Sequence, residues 1–159
     1  MLAEIEHPRI LEIGGGLGRT AFYANELGLC DYTLIDIPLA MVSQGYFLGC
    51  GLGPEAIAFD GEGGAAAGRL RLLPPDTFLD ANEQYDIVLN ADSLTEFDLA
   101  VASRYVDKIR DCAGAFLSIN HEYNKFRVRD LLQPELRRGR YQRVPYWMRR
   151  GYVEELVYF

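Results

Sequence analysis

The chain predicts a doubly wound α/β fold, a mostly parallel sheet covered by helices on both faces and closed by an antiparallel last strand. Three observations predict it. Short β-branched and apolar runs alternate with stretches of helical spacing along most of the 159 residues. Single helices between successive strands demand parallel pairing through right-handed crossovers, which buries both faces of the sheet. A glycine-rich turn follows the first strand directly, in I-L-E-I-G-G-G-L-G-R-T-A over Ile10 to Ala21, and such a turn opens a ligand pocket beyond the carboxyl edge of a sheet.

The first strand is read over Arg9 to Ile13 and delivers Glu12 to its carboxyl end. Gly14, Gly16 and Gly18 let the backbone turn with positive φ and approach a ligand more closely than a Cβ allows, and Gly15 completes the turn. The helix that follows spans about Arg19 to Leu27, with Gly28 as its C-cap, and its first free N–H groups face the same space. Tyr32 to Ile37 is the second strand, stopped by Pro38, which also opens a helix over Leu39 to about Leu48. Two weak strand candidates come next, Ala56 to Phe59 and Arg69 to Leu73, separated by the flexible-loop composition G-E-G-G-A-A-A-G. Firm strands at Tyr85 to Asn90 and Ala115 to Ile119 flank a helix over Leu99 to Cys112. A helix near Lys125 to Leu132 and two last strands, about Gln142 to Trp147 and Tyr152 to Phe159, complete a single domain.

Composition is that of an ordinary globular domain, with 49% hydrophobic and 25% charged residues and no run of about eighteen apolar residues. The start, M-L-A-E-I-E-H-P, lacks the basic and apolar regions of a secretory signal. Cys30, Cys50 and Cys112 are odd in number and widely spaced, so neither a disulfide framework nor a zinc site is indicated, and the reading is of a cytoplasmic protein. Net charge is −7 but unevenly placed: Lys125 to Arg150 holds nine basic residues against two acids. That stretch reads either as a basic edge balancing an acidic body or as a rim that attracts an anionic acceptor such as a phosphate-bearing sugar. Nucleic acid does not fit an acidic molecule with so short a basic segment, and no membrane segment is expected.

Glu12, Asp36, Asn90 and Asn120 all fall at carboxyl ends of strands, where ligands bind in such sheets. A carboxylate two residues before the glycine turn repels a pyrophosphate and favours a cationic ligand. Each residue also has a purely local reading: Glu12 as a helix-capping acid, Asp36 as a turn residue before Pro38, and Asn90 as an Asn bonding its own loop.

These residues resemble class I S-adenosylmethionine-dependent methyltransferases, a Rossmann-like fold. E-I-G-G-G-L-G fits the acidic-x-Gly-x-Gly-x-Gly pattern at Glu12, Gly14, Gly16 and Gly18, and Asp36 closes the second strand. A narrower resemblance to the putative sugar O-methyltransferase family rests on I-D-I-P at Ile35 to Pro38, N-A-D-S-L-T-E-F at Asn90 to Phe97, and S-I-N at Ser118 to Asn120. The resemblance implies S-adenosylmethionine as cofactor, with S-adenosylhomocysteine as product, and a small hydroxylated acceptor. It places the amino-acid portion of the cofactor on Gly14 to Gly18, steadied by Glu12. It puts the ribose hydroxyls on Asp36 beside Ile37, the adenine near Asp60 or Pro75 to Thr77, and the methionyl side against Asn90 and Ala91.

Methyl transfer from a sulfonium asks the protein for alignment and for removal of the acceptor proton. Candidates for the base are His121, Asp92 and Glu96. An imidazole titrates in the neutral range, and His7, the other histidine, lies at the amino end of the first strand. Asp92 and Glu96 could instead orient sugar hydroxyls or share a divalent cation, although no metal site is expected; Glu96 also reads as a first-turn acid of the following helix. The late aromatics Tyr123, Phe126, Tyr141, Tyr146 and Trp147 are expected to pack in the core rather than stack on a sugar. The resemblance implies helices before the first strand, which here begins about nine residues from Met1. The expectation is either a fragment of a longer protein or an acceptor side completed by a partner chain or the Gly-rich loop, with exposed apolar surface favouring a homo-oligomer. Two other classes fit part of the sequence. G-L-G-R-T-A with Asp36 twenty residues on suits a nicotinamide-dependent reductase, and a methyltransferase-like domain can serve as a binding module.

Overall fold

A computed structural model describes residues 5–62 and 68–159. The chain divides into two compact units, Met1–Asn82 and Glu83–Phe159. The first holds β1 (Ile10–Ile13), α1 (Arg19–Glu26), β2 (Tyr32–Ile35), α2 (Pro38–Leu52), β3 (Ile57–Phe59), β4 (Leu70–Leu73) and α3 (Pro75–Asp80). Its strands run in the order β3-β4-β2-β1, all parallel, with Glu12 opposite Leu34 and Leu34 opposite Leu72. β1 and β2 are buried along their whole length, as expected of strands covered on both faces.

Both weak strand candidates are strands, and they pair with each other, Ile57 opposite Leu70. The Gly- and Ala-rich stretch between them, expected to be a flexible loop, lies mostly outside the described residues. α1 ends as expected, Gly28 taking a φ of +83° and donating its N–H to the Asn25 carbonyl at 2.9 Å. α2 runs four residues past its expected end, through Gly49 and Gly51, which propensity disfavours by about 1 kcal/mol each. Packing overrides that preference: a Cβ on Gly51 would lie 2.7 Å from the Phe22 ring of α1.

The second unit holds β5 (Tyr85–Ala91), α4 (Leu99–Cys112), β6 (Ala113–His121), α5 (Val128–Leu131), α6 (Gln133–Arg137), β7 (Tyr141–Pro145) and β8 (Tyr152–Tyr158). β5 and β6 are parallel, while β8 is antiparallel to both β6 and β7 and places Tyr152 opposite His121. α4 buries Ala102, Tyr105, Val106, Ile109 and Cys112, the spacing of one helical face. The helix expected over Lys125 to Leu132 is instead two short helices. Pro134 has no N–H to continue α5, and it sits in the first turn of α6, where that N–H has no intrahelical partner in any case. Arg110 of α4 fastens this region, donating to Glu135 at 2.8 and 3.1 Å and to the Leu131 carbonyl at 2.5 Å. β7 likewise stops at Pro145, short of the expected Trp147. No helix among the described residues is long and apolar enough to cross a membrane.

Candidate functional site

In the first unit β1 ends at Ile13 and the glycine turn begins at once. Gly14, Gly16 and Gly18 have φ values of +71°, +58° and +86°, a backbone that side chains with a Cβ rarely adopt. A Cβ at Gly16 would meet no protein atom within 4 Å, so this bend of the turn faces open space. Gly15 faces inward, where a Cβ would fall 2.4 Å from Leu34 and 3.1 Å from the Glu12 carboxylate. Glu12 is 3% exposed and accepts a hydrogen bond from the Tyr32 hydroxyl at 2.9 Å. Burial pushes its carboxyl pKa up, against the lowering effect of the Tyr32 and Thr20 hydroxyls. Burial, then the neighbouring Glu12 charge, likewise raises the Tyr32 phenol. The Glu12 carboxylate therefore lies against the inner side of the turn at Gly15, and Tyr32, which reads from the sequence only as an aromatic strand residue, is its partner.

Asp36 follows β2 and is half-buried. Its Oδ1 accepts the Ile37 N–H at 2.9 Å, the local turn contact, and its Oδ2 accepts from Gln44 Nε2 at 2.8 Å. The same Nε2 donates to the Gly16 carbonyl at 3.0 Å. Burial raises the Asp36 carboxyl pKa, opposed by the hydrogen bonds from Ile37, Gly16 and Gln44. These three donors leave only part of the carboxylate's acceptor capacity for a ligand hydroxyl. Ile37 is 59% exposed beside it. Asp60, exposed after β3, accepts from the Thr77 hydroxyl at 3.2 Å, which joins the two segments the sequence offers for the adenine. Gln44 is absent from the sequence reading; its only signal is its spacing with Met41 and Leu48, which puts a polar side chain on the buried face of α2.

In the second unit Asn90 and Asn120 are bonded to each other and to their loops. Asn120 Nδ2 donates to Asn90 Oδ1 at 2.7 Å and to Ser118 Oγ at 2.8 Å, Asn90 Nδ2 donates to Ser93 Oγ at 2.6 Å, and Thr95 Oγ1 donates to Asn120 Oδ1 at 3.3 Å. Asn90 is thus the residue that bonds its own loop, and Ala91 beyond it is exposed. Asp92 takes a φ of +56°, alone among the described non-glycine residues in having positive φ. Its carboxylate accepts from the Tyr152 hydroxyl at 2.7 and 2.8 Å and from Arg149 Nη1 at 3.0 Å, while the Arg149 guanidinium lies 4.0 Å from the centre of the Tyr152 ring. Burial and then the bond to Asp92 raise the Tyr152 phenol.

His121 packs edge-on against Tyr152, ring centres 4.9 Å apart, and its Nδ1 accepts the Tyr123 backbone N–H at 3.2 Å. That bond assigns the neutral ring's proton to Nε2, and a Cβ on Gly151 would lie 2.7 Å from that atom. Glu96 is exposed at the end of a 3-10 turn, Leu94–Glu96. Tyr152 and Arg149 lie about sixty residues from Asp92, and no local pattern in the sequence joins them. None of the late aromatics is buried, against the core packing expected of them: Tyr123 and Trp147 are 85% and 87% exposed, and Phe126, Tyr141 and Tyr146 are half-buried. Among the described residues no group of three or more His, Cys, Asp or Glu is arranged to hold a metal ion.

No protein-family model and no curated protein matches the sequence. Solved structures do match. The glycopeptide N-methyltransferase MtfA, crystallised with sinefungin, is similar at 16% identity and a TM-score of 0.65, over 96% of this chain and 87% of that one. The mitomycin 7-O-methyltransferase MmcR is similar at 17% identity and a TM-score of 0.62, over 94% of this chain, which spans 48% of MmcR. PH1948 of Pyrococcus horikoshii, provisionally described as an RNA methyltransferase, is similar at 15% identity and a TM-score of 0.64, over 99% of this chain and 78% of that one. The chain therefore has the class I methyltransferase fold.

Proposed function

We propose that the chain is an S-adenosylmethionine-dependent methyltransferase domain acting on a hydroxyl of a small acceptor, and that the acceptor is a sugar. The observation that carries the cofactor is the arrangement in the first unit: a glycine turn with three positive φ values, open at Gly16, tied through Gln44 to a half-buried Asp36. MtfA, crystallised with sinefungin and similar in fold, supports the same cofactor. The sugar rests on the narrower sequence resemblance; the similar structures include N-, O- and RNA methyltransferases.

S-adenosylmethionine, when bound, supplies an activated methyl group on a sulfonium. The backbone of Gly14 to Gly18 holds its amino-acid portion, and buried Glu12 keeps the turn in place. Asp36 accepts from the ribose hydroxyls with Ile37 covering that side, and Asp60 with Thr77 meets the adenine. Asn90 spends its side chain on Ser93, Leu94 and Asn120, so Ala91 and the nearby backbone are left for the methionyl side. For the acceptor proton the candidates are Asp92, Glu96 and His121. His121 engages its Nδ1 lone pair with Tyr123 and so serves first as a donor through Nε2–H, leaving a carboxylate, Asp92 or Glu96, as the base. The test is incubation with methyl-labelled S-adenosylmethionine and a panel of sugars, sugar phosphates, phenols and amines. Label on a sugar hydroxyl supports the proposal; transfer to amines alone overturns the acceptor class.

A further inference from the structure

We infer that Gln44 is a positioning residue of the donor site, its side-chain amide tying the Gly16 carbonyl to the Asp36 carboxylate so that turn and ribose-binding acid keep one separation. This rests on the donor-site reading above. Gln44 sits on α2 with 0% exposure, and Nε2 donates at 3.0 Å to Gly16 and at 2.8 Å to Asp36 Oδ2. Both partners are acceptors, so the amide cannot be turned over without setting oxygen against oxygen. Its Oε1 is buried and finds no hydrogen-bond partner among the described residues. A residue kept for stability alone would not leave an acceptor unsatisfied there, since methionine has nearly the same length and no buried polar atom. The two groups it joins can be solvated without it, because Gly16 is exposed and Asp36 half-buried. What water cannot supply is a fixed direction for Asp36 Oδ2. Oδ1 is already pinned by the Ile37 N–H and the Gly16 backbone also bonds the carboxylate, and the Gln44 contact adds to these in fixing its rotation. Pre-organisation of this kind acts on ligand affinity rather than on folding.

The experiment is thermal unfolding without ligand, together with calorimetric titration of S-adenosylhomocysteine, on the wild type, Gln44→Met, Gln44→Glu, Asp36→Ala and the Gln44→Met/Asp36→Ala double variant. Gln44→Met is expected to unfold at or above the wild-type temperature, to bind about tenfold more weakly, and to add no further loss in the Asp36→Ala background. Gln44→Glu, which replaces the donor by a carboxylate facing Asp36, is expected to bind at least as weakly. A clear fall in the unfolding temperature of Gln44→Met, or its failure to fold, makes Gln44 structural and overturns the inference. Wild-type affinity in Gln44→Met while Asp36→Ala is weakened also overturns it and leaves the donor site standing. Wild-type affinity in Asp36→Ala removes the donor-site reading, and the inference with it.

Discussion

In the proposed donor site Asp36 offers the charged acceptor for the ribose hydroxyls, so hydrogen bonds made there are charge-assisted. Asp36→Ala is expected to weaken S-adenosylhomocysteine binding by about 1.5 to 3 kcal/mol, measured by titration. Glu12 makes a different prediction. Its folded-state pKa is raised, so its contribution to stability is fully present below the unfolded value and is lost as pH rises through the folded value. Glu12→Gln keeps an acceptor for the Tyr32 hydroxyl and removes the buried charge. The variant is expected to exceed the wild type in unfolding temperature at pH 7.5, with the difference shrinking toward pH 4; a constant difference would contradict the assignment. At the second cluster, Asp92→Asn is expected to lower turnover of a labelled acceptor about 10²-fold and His121→Ala less than tenfold, since His121 Nδ1 is already engaged. At this scale the sequence showed the acids and glycines, whose types are restricted by the turn and by charge. It did not show Tyr32, Gln44, Arg149 or Tyr152, ordinary residue types whose partners lie at least eight and mostly twenty or more residues away.

Elements were legible where a local signal fixed both ends. α1 between the glycine turn and Gly28, and the start of α2 at Pro38, follow from backbone rules that need no tertiary knowledge. The far end of α2 was not legible, because Gly49 and Gly51 are there for the close approach of Phe22 and Ile57 rather than to stop the helix. β3 and β4, three and four residues long, give only a weak signal in the sequence, yet both were legible as strand candidates. The link between α4 and α6 is a prediction at this scale. Glu135 is 4% exposed and its pKa is lowered, burial being outweighed by Arg110. Arg110→Met leaves that carboxylate buried without its partner and is expected to cost about 2 to 4 kcal/mol in chemical denaturation.

Over the whole molecule, the acidic balance and the basic stretch resolve partly into internal pairing. Arg143 bonds Glu122 and lies 3.3 Å from Glu155, and Arg149 bonds Asp92, so these cations balance the acids of their own unit. That matches the balancing edge for those two cations. Ligand binding should register as global stability: at a hundredfold excess over Kd the gain is about 2.7 kcal/mol, or roughly 5 to 10 °C in Tm for a chain of this size. The most direct measurement of the central claim is calorimetric titration of the wild-type chain with S-adenosylhomocysteine and, separately, with NADH. The account predicts one-to-one binding of the first and no heat from the second; binding of NADH alone, or of neither, would contradict it.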